Sequence, residues 1–482
     1  MSVIIPVFNG AEHLKLSLAH VRAASFEGLE CIVVDDGSTD DSAAVAKEFG
    51  CTVLSTGGRK GPAFARNLAA ASAQANIILF MDADVCVSTH AFEGVMSAFR
   101  EDPELDAIIG SYDDTPGAPD LLSQYRNLLH CYVHRNGRRQ ASTFWTGFGA
   151  IRRETFLNAG GFDDSYARPS VEDIELGYRL RNAGAKLALD SSLTVKHLKY
   201  WSLAGIIRTD IFDRGIPWAE LIVRDRRMPN DLNLRFSQRL SVLLMGLLVP
   251  LALWGFPEFG VQLLLTLCLI SFLSLSGFFI WSDPAQKKDR LLAIVTLGAG
   301  IVVLAFPAGV PWVIPAAAAV YPLMWLRRKV ARSGHGVLRV VNVGIGLYLF
   351  LTSVIALLSM SHPRVDVIWG ILTAVILLNF GFYRFLAHRM GTLESIAAIP
   401  FHLLFHLYSG PAMGAGIVTY FLKGRKRLWK TSVPGEGLTA KTRSWENTAS
   451  GTTQVNEGPS PRRQPSEVET AVAYEMAPAG KR

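Results

Sequence analysis

Charge is scarce in this sequence. Asp, Glu, Lys and Arg make up 18% of the 482 residues, against 50% apolar. The shortage is concentrated between Leu240 and Phe421, where long charge-free runs recur, and such a stretch excludes an ordinary soluble surface there. Paired cysteines are also missing. Cys31, Cys51, Cys86, Cys131 and Cys268 form no C-x-x-C pair, which excludes zinc-finger spacing and leaves reduced, mostly buried thiols as the reading. The net charge is +7, yet no basic stripe with interleaved aromatics accompanies it, which argues against a nucleic-acid partner. The opening MSVIIPVFNG has no charged start followed by a long apolar run. It reads as a short strand and turn rather than a signal peptide, so the first domain is expected in the cytosol.

What is present divides the chain into four parts: a soluble domain at 1–230, a hydrophobic region at 231–390, an amphipathic or interfacial segment at 391–424 and a polar tail at 425–482. The tail is rich in Ser, Thr, Pro, Gly and charge, a composition expected to stay disordered. In the first part compact apolar runs at Ser2–Val7, Cys31–Val34 and Ile77–Phe80 alternate with helical stretches around Ala11–Ala24, Asp41–Phe49 and Ala63–Ala73. Strands buried on both faces, separated by helices, predict a doubly wound α/β domain with a mostly parallel sheet. Ligands of such sheets bind beyond the carboxyl ends of the strands.

The hydrophobic region holds six runs near the length that spans a bilayer: Ser237–Phe256, Val261–Trp281, Leu291–Pro307, Val310–Leu326, Val340–Met360 and Val365–Leu386. Together they predict an all-α transmembrane bundle, with a re-entrant pair as the alternative for the third and fourth. Loops on the side of the first domain carry Lys287, Lys288, Arg290, Arg327, Arg328, Lys329, Arg332, Arg339, Arg384 and Arg389, and the opposite loops carry only Arg364. This bias is the positive-inside pattern of a multi-pass protein, here expected in the plasma (inner) membrane. Leu393–Leu422 fits an interfacial helix or a broken seventh span. Its His402 and His406 have the i, i+4 spacing of a helical metal pair, but no Glu lies between them and no third ligand is near, so headgroup or substrate contact is the preferred reading.

Four motifs of the first domain carry chemistry. VVDDGSTD ends a strand with Asp35 and Asp36, a Gly turn and a helix-capping series. GPAFARN opens a helix at Gly61 and brings Arg66 and Asn67 onto its first turns. IILFMDADV sets Asp82 and Asp84 just past a buried strand. GGFDD, followed by SVEDIELGYRLRNAG, places Glu172 and Asp173 at the start of a helix. Two carboxylates on a D-x-D turn can hold a hard divalent ion, Mn2+ or Mg2+, against a diphosphate. A third acid presented from another element, Asp173, can take the proton of an acceptor hydroxyl. Taken singly these motifs are also ordinary helix caps and dipole-compensating acids.

In this order, with FWTGFGAIRRETFLNAGGFDD between the last two, the chain resembles the family-2 glycosyltransferases of the A-type fold from Ser2 to about Arg227. The resemblance implies inverting transfer from a nucleoside diphosphate sugar. Asp35 and Asp36 would meet the base and ribose, Asp82 and Asp84 the metal and donor, and Asp173, with Glu172, the acceptor. His197 in VKHLKYW would be a further metal ligand, with a packed histidine as the ordinary alternative. Arg66 and Lys60 could pair with phosphate oxygens. One departure stands out: the QxxRW motif of processive synthases is missing, and DIFDRGIPWAELI separates Arg214 from Trp218. Trp218 could stack on a sugar or rest on the membrane. The expected activity is therefore a non-processive transfer to a lipid-linked or membrane-proximal glycan acceptor. A processive polysaccharide synthase and a transporter or flippase with an inactive transferase-like domain are the alternatives.

Overall fold

The computed structural model describes residues 1–253 and 365–423. The four expected spans between Val261 and Met360, the end of the first span and the polar tail lie outside the described residues. Among the described residues contacts divide the chain into two compact units, residues 1–236 with 411–423, and residues 237–253 with 365–410.

The first unit is built on one eight-stranded sheet. Its strands are β1 (Ser2–Val7), β2 (Glu30–Asp35), β3 (Thr52–Ser55), β4 (Ile77–Met81), β5 (Val85–Val87), β6 (Ala107–Tyr112), β7 (Phe148–Arg152) and β8 (Leu187–His197), in the order β3-β2-β1-β4-β7-β6-β8-β5. The first four are parallel, joined by α1 (Ala11–Ala23), α2 (Ser42–Glu48) and α3 (Pro62–Ser72). The apolar runs of β1 and β4 are buried on both faces, which is why they lack a polar alternation, whereas β3 at the sheet edge is mostly exposed. The β1–β4 ladder ends at Ile4, two residues before Pro6, which has no N–H to donate.

The expectation of a mostly parallel, doubly wound sheet is corrected in the second half. β7 runs antiparallel to both β4 and β6, β6 and β8 are parallel, and β5 closes the edge antiparallel to β8. The sheet is mixed. The strands that make it so were not legible as βαβ repeats: β5 is only 3 residues long, and β7 follows the irregular FWTG stretch. Between β5 and β8 come α4 (Ala91–Glu101), α5 (Leu121–Arg135), α6 (Arg153–Asn158) and α7 (Glu172–Asn182). Beneath the sheet Phe80 is packed edge-on against Phe144 and Phe162 and tilted against Phe156, all four buried.

The strand order sets the site. The chain leaves β1 for β2 and β3 on one side and returns to β4 on the other, so a topological switch point lies at the carboxyl ends of β1 and β4. Beyond β8 the first unit continues through α8 (Leu203–Arg208), a π-helical turn (Thr209–Gly215) and α9 (Ile216–Asp225).

In the second unit α10 (Phe236–Leu253) begins the first expected span. The sixth is corrected. Val365–Leu386 is not one rod but two pieces, α11 (Val365–Leu378) and α12 (Phe380–Met390), with a bend of 64° between them. Asn379 causes the break: its buried amide donates to Val375 O and to Ser241 Oγ and accepts from Gln238 Nε2, at 2.8–2.9 Å. A side chain that offers the backbone such partners competes with the helical ladder. Among the described residues no single helix is long and apolar enough to cross a membrane, and this bent pair is the one combination that meets the requirement by length and composition. Residues 392–422 form one helix, α13 (Thr392–Leu422), rather than a broken segment. Its His402 and His406 are fully buried with their rings 4.5 Å apart, and His402 Nδ1 lies 3.0 Å from the Tyr383 hydroxyl.

Candidate active site

The acids at the end of β2 have divided tasks. Asp35 Oδ1 accepts from the Ser38 N–H at 2.9 Å and closes the glycine turn. Asp36 is 5% exposed, and its carboxylate accepts from Lys60 N, Gly61 N and Thr56 Oγ1 at 2.8–2.9 Å. It holds the loop that leads into α3. The capping role in this motif falls to Asp40, whose carboxylate accepts from Ser42 N at the start of α2 and from Ala11 N at the start of α1. Gly61 has φ +95°, and a Cβ there would meet the Ala167 carbonyl at 2.7 Å. Only glycine lets α3 begin so close to that backbone.

From α3, Arg66 reaches two acids of different elements. Its guanidinium, nearly buried, meets Asp82 Oδ1 at 2.7 Å and Glu172 Oε1 at 3.1 Å. The arginine expected to face phosphate is thus an internal bridge between the D-x-D turn after β4 and the start of α7. Lys60 lies over the Phe64 ring, 4.5 Å from its centroid. Asn67, next in sequence to Arg66, exchanges two 2.9 Å hydrogen bonds with the Phe162 backbone and fixes the GGFDD loop on α3.

Asp82 and Asp84 differ electrostatically. Burial above all raises Asp82, and the charge of Asp84 adds to this, while Arg66 and His197 pull it back. Burial also pushes Asp84 up, but the hydrogen bond and charge of His197, with Lys199 and His13, more than offset it and hold this carboxyl at about 2. His197 Nε2 stands 3.4 Å from Asp84 Oδ2, and its Nδ1 is 2.6 Å from Asn127 Oδ1. The Asn127 oxygen fixes Nδ1 as the donor. Nε2 faces the Asp84 carboxylate. Among the described residues no group of three or more His, Cys, Asp or Glu side chains is placed to hold a metal ion. Asp82 and Asp84 place two carboxylates on one turn, hard oxygen donors of the kind that divalent cations take together with phosphate oxygens and water.

Asp173 lies on the first turn of α7. Burial, followed by the charge of Glu172, pushes its carboxyl up to about 7, against the pull of Arg66 and of the Ile174 and Thr146 N–H groups. Glu172 is 3% exposed and occupied by Arg66 and by the Ser170 N–H. The two neighbours therefore separate: Glu172 is fixed in structure, and Asp173 is poised to exchange a proton near neutrality. Gly177 makes this placement possible, since a Cβ there would meet Phe144 N at 2.2 Å. α7 lies directly on the backbone that delivers the Thr146 N–H.

Other residues of the site were not assigned from sequence. Tyr112, at the end of β6, stacks on His197 at 4.3 Å with the rings 7° apart and meets Trp145 edge-on. Arg126 pairs with Asp210 in a buried bridge. Trp145 and Thr146 stand in the FWTG stretch and were visible there without a role, whereas nothing in the sequence pointed to Tyr112, Asn127 or Arg126. Arg214 lies on the π-helical turn, lowered by burial and by Arg126, with Asp210, Tyr112 and Asp173 acting in the opposite sense. Trp218 donates its indole N–H to the Tyr178 hydroxyl at 3.2 Å, which ties α9 to α7.

The chain is similar to known glycosyltransferases. A pre-mycofactocin glycosyltransferase of Mycobacterium tuberculosis (strain CDC 1551 / Oshkosh) is 29% identical over 208 residues, 41% of this chain and 42% of that protein, so the chain spans less than half of that relative's length. A poly-beta-1,6-N-acetyl-D-glucosamine synthase of Staphylococcus aureus (strain COL) is 22% identical over 264 residues, 50% of this chain and 62% of that protein. A mannosyltransferase from Pyrobaculum calidifontis, solved in complex with GDP-Man and Mn2+, aligns over 74% of this chain and 86% of its own, at 16% identity and a TM-score of 0.34. Residues 2–159, which carry Asp35, Asp36, Arg66, Asp82 and Asp84, match the family model for glycosyl transferase family 2, and Glu172, Asp173 and His197 lie just beyond the match.

Proposed function

We propose that the N-terminal unit transfers one sugar, with inversion, from a nucleoside diphosphate sugar to a lipid-linked or membrane-proximal glycan acceptor. The observation that carries this reading is the pairing of two partly exposed carboxylates after β4 with a third carboxyl, Asp173, held at about 7 on a separate element. Asp173 accepts the acceptor hydroxyl proton while that oxygen bonds to the anomeric carbon and the bond to the diphosphate breaks. Asp82 and Asp84 would hold a divalent cation, which when bound neutralises the departing diphosphate. Arg66 fixes both ends of this frame, since one guanidinium holds Asp82 and the neighbour of the base.

The long apolar runs and their Lys/Arg bias support a multi-pass membrane protein with the transferase unit on the cytosolic face of the plasma membrane. A lipid-linked acceptor would then meet the site at the membrane surface. The similarity to a poly-beta-1,6-N-acetyl-D-glucosamine synthase favours polymerisation as the second reading, and the absent QxxRW motif argues for single transfer. The deciding experiment incubates membranes containing the protein with a panel of labelled sugar nucleotides and identifies the labelled lipid or glycan. Label transfer lost in Asp173→Asn supports the reading, whereas no transfer from any donor by well-expressed protein removes it.

A further inference from the structure

Far from the carboxyl ends of the strands, two of the cysteines meet. Cys31 is the second residue of β2, and Cys51 immediately precedes β3. The parallel register pairs Ile32 with Thr52, so the two cysteines occupy the preceding rung of the same ladder. Neighbouring strands lie about 4.8 Å apart in the pairing direction, inside the window of roughly 4.4–6.8 Å between Cα atoms that a disulfide requires. The side chains bear this out: the two Sγ atoms lie 3.4 Å apart, within hydrogen-bonding distance. Both residues are half-buried, within reach of a small reagent, whereas Cys86 and Cys131 are buried.

We propose that Cys31 and Cys51 form an oxidative modification site, a vicinal thiol pair that a low-molecular-weight disulfide converts to an internal disulfide across β2 and β3. The steps balance. The Cys51 thiol loses its proton and attacks one sulfur of the reagent, releasing the first equivalent of small thiol. Cys31 then attacks the Cys51 sulfur of the mixed disulfide, releasing the second. Two protein thiols are oxidised, and one small disulfide is reduced to two small thiols that carry away the two protons. The hydrogen bond shared with Cys51, burial and the charge of Glu30 push the Cys31 thiol up, and in the intramolecular step Cys31 gains by proximity what it lacks in acidity.

The position of the pair determines its effect. Cys31 lies four residues before Asp35, about 13 Å along the strand. The bond would tie the β2–β3 register at the end of the strands away from the acids, closing the chain between Cys31 and Cys51. Loss of freedom in the unfolded chain then raises stability and leaves the acids in place.

The test uses the full-length protein in detergent, fully reduced and then incubated with oxidised glutathione. Free thiols are alkylated before digestion and mass analysis. The expected result is a joined peptide containing Cys31 and Cys51, about 2 Da lighter than its two reduced parts, its loss on treatment with dithiothreitol and a higher thermal midpoint of the oxidised protein. Cys51→Ser should show neither the joined peptide nor the rise in midpoint. Wild-type protein in which both residues remain alkylatable, or in which either keeps glutathione without joining the other, would overturn the proposal. No donor or acceptor enters the assay, so its failure leaves the transferase reading untouched.

Discussion

Asp173→Asn should make this protein slower and more stable at once, and the two effects have separable causes. The rise of the Asp173 carboxyl from 3.8 to about 7 corresponds to about 4 kcal/mol of disfavoured ionisation in the folded state. Below pH 3.8 the carboxyl is protonated whether the chain is folded or not, and no cost arises. As pH climbs from 3.8 towards 7 the unfolded chain gives up its proton first, so native stability falls, and above 7 the full cost is present. Asn keeps the size of the side chain and one acceptor oxygen but cannot ionise. It serves one of the two N–H groups that Asp173 accepts, Ile174 or Thr146, and losing the other costs about 1 kcal/mol. The net expectation at pH 8 is a gain of about 2–3 kcal/mol, or roughly 5–10 °C in thermal midpoint for a unit of this size, shrinking to nothing near pH 4. Turnover should meanwhile fall about a hundred- to ten-thousand-fold with donor affinity nearly unchanged, because the interaction lost is one made in the transition state. Wild-type turnover should rise about tenfold per pH unit below 7 and level off above it. The assays are thermal unfolding of both proteins from pH 4 to pH 8 and initial rates over the same range. A folded Asp173→Asn enzyme with near-normal turnover, or a stability difference that ignores pH, would refute the reasoning.

Chelation with EDTA should abolish transfer and added Mn2+ or Mg2+ should restore it; full activity in EDTA removes Asp82 and Asp84 from the donor site. Arg66→Met should cost about 3–5 kcal/mol, because it leaves the buried Glu172 carboxylate without its counter-charge, and a lowered denaturation midpoint of the full-length protein checks this. Reporter fusions after Met360 should read outside and after Arg389 inside; both on one side would mean that the bent pair α11–α12 turns back instead of crossing. A purified acceptor should gain one sugar, and a ladder of products would favour the synthase reading.

Three of the four parallel strands were legible because their physics is local: each is a run of contiguous apolar residues closed by a polar turn, whereas the short, mostly exposed β3 (Thr52–Ser55) offers no such run. Ser2–Val7 and Ile77–Phe80 are found within a residue of the strands observed. The antiparallel half was not, because β7 is inserted between β4 and β6, and its partners lie far away in sequence. The same holds within the site. Asp82, Asp84 and Asp173 could be named from motif and spacing. The union of Arg66 with both Asp82 and Glu172 joins positions more than a hundred residues apart and is visible only when α3, β4 and α7 are assembled. Likewise the spacing of Val365–Leu386 reads as one apolar helix, and only the tertiary partners of Asn379, Gln238 and Ser241, reveal where it breaks.

The inward turn of Asp36 changes how any mutational survey of this domain has to be interpreted. Asp35 and Asp36 stand side by side in sequence, and successive residues at a strand end project to opposite sides. Asp36 spends both carboxylate oxygens on Thr56, Lys60 and Gly61, so it works as an anchor for the segment that launches α3 and, through Arg66, for the frame around the base. Replacing it would reach catalysis by loosening that segment, and an alanine survey scored on product alone would file the two aspartates together. Yield of folded protein separates them: a change at Asp36 should lower the amount of intact enzyme, whereas a change at Asp35, whose bond is to the Ser38 N–H of a half-buried turn, should lower it far less.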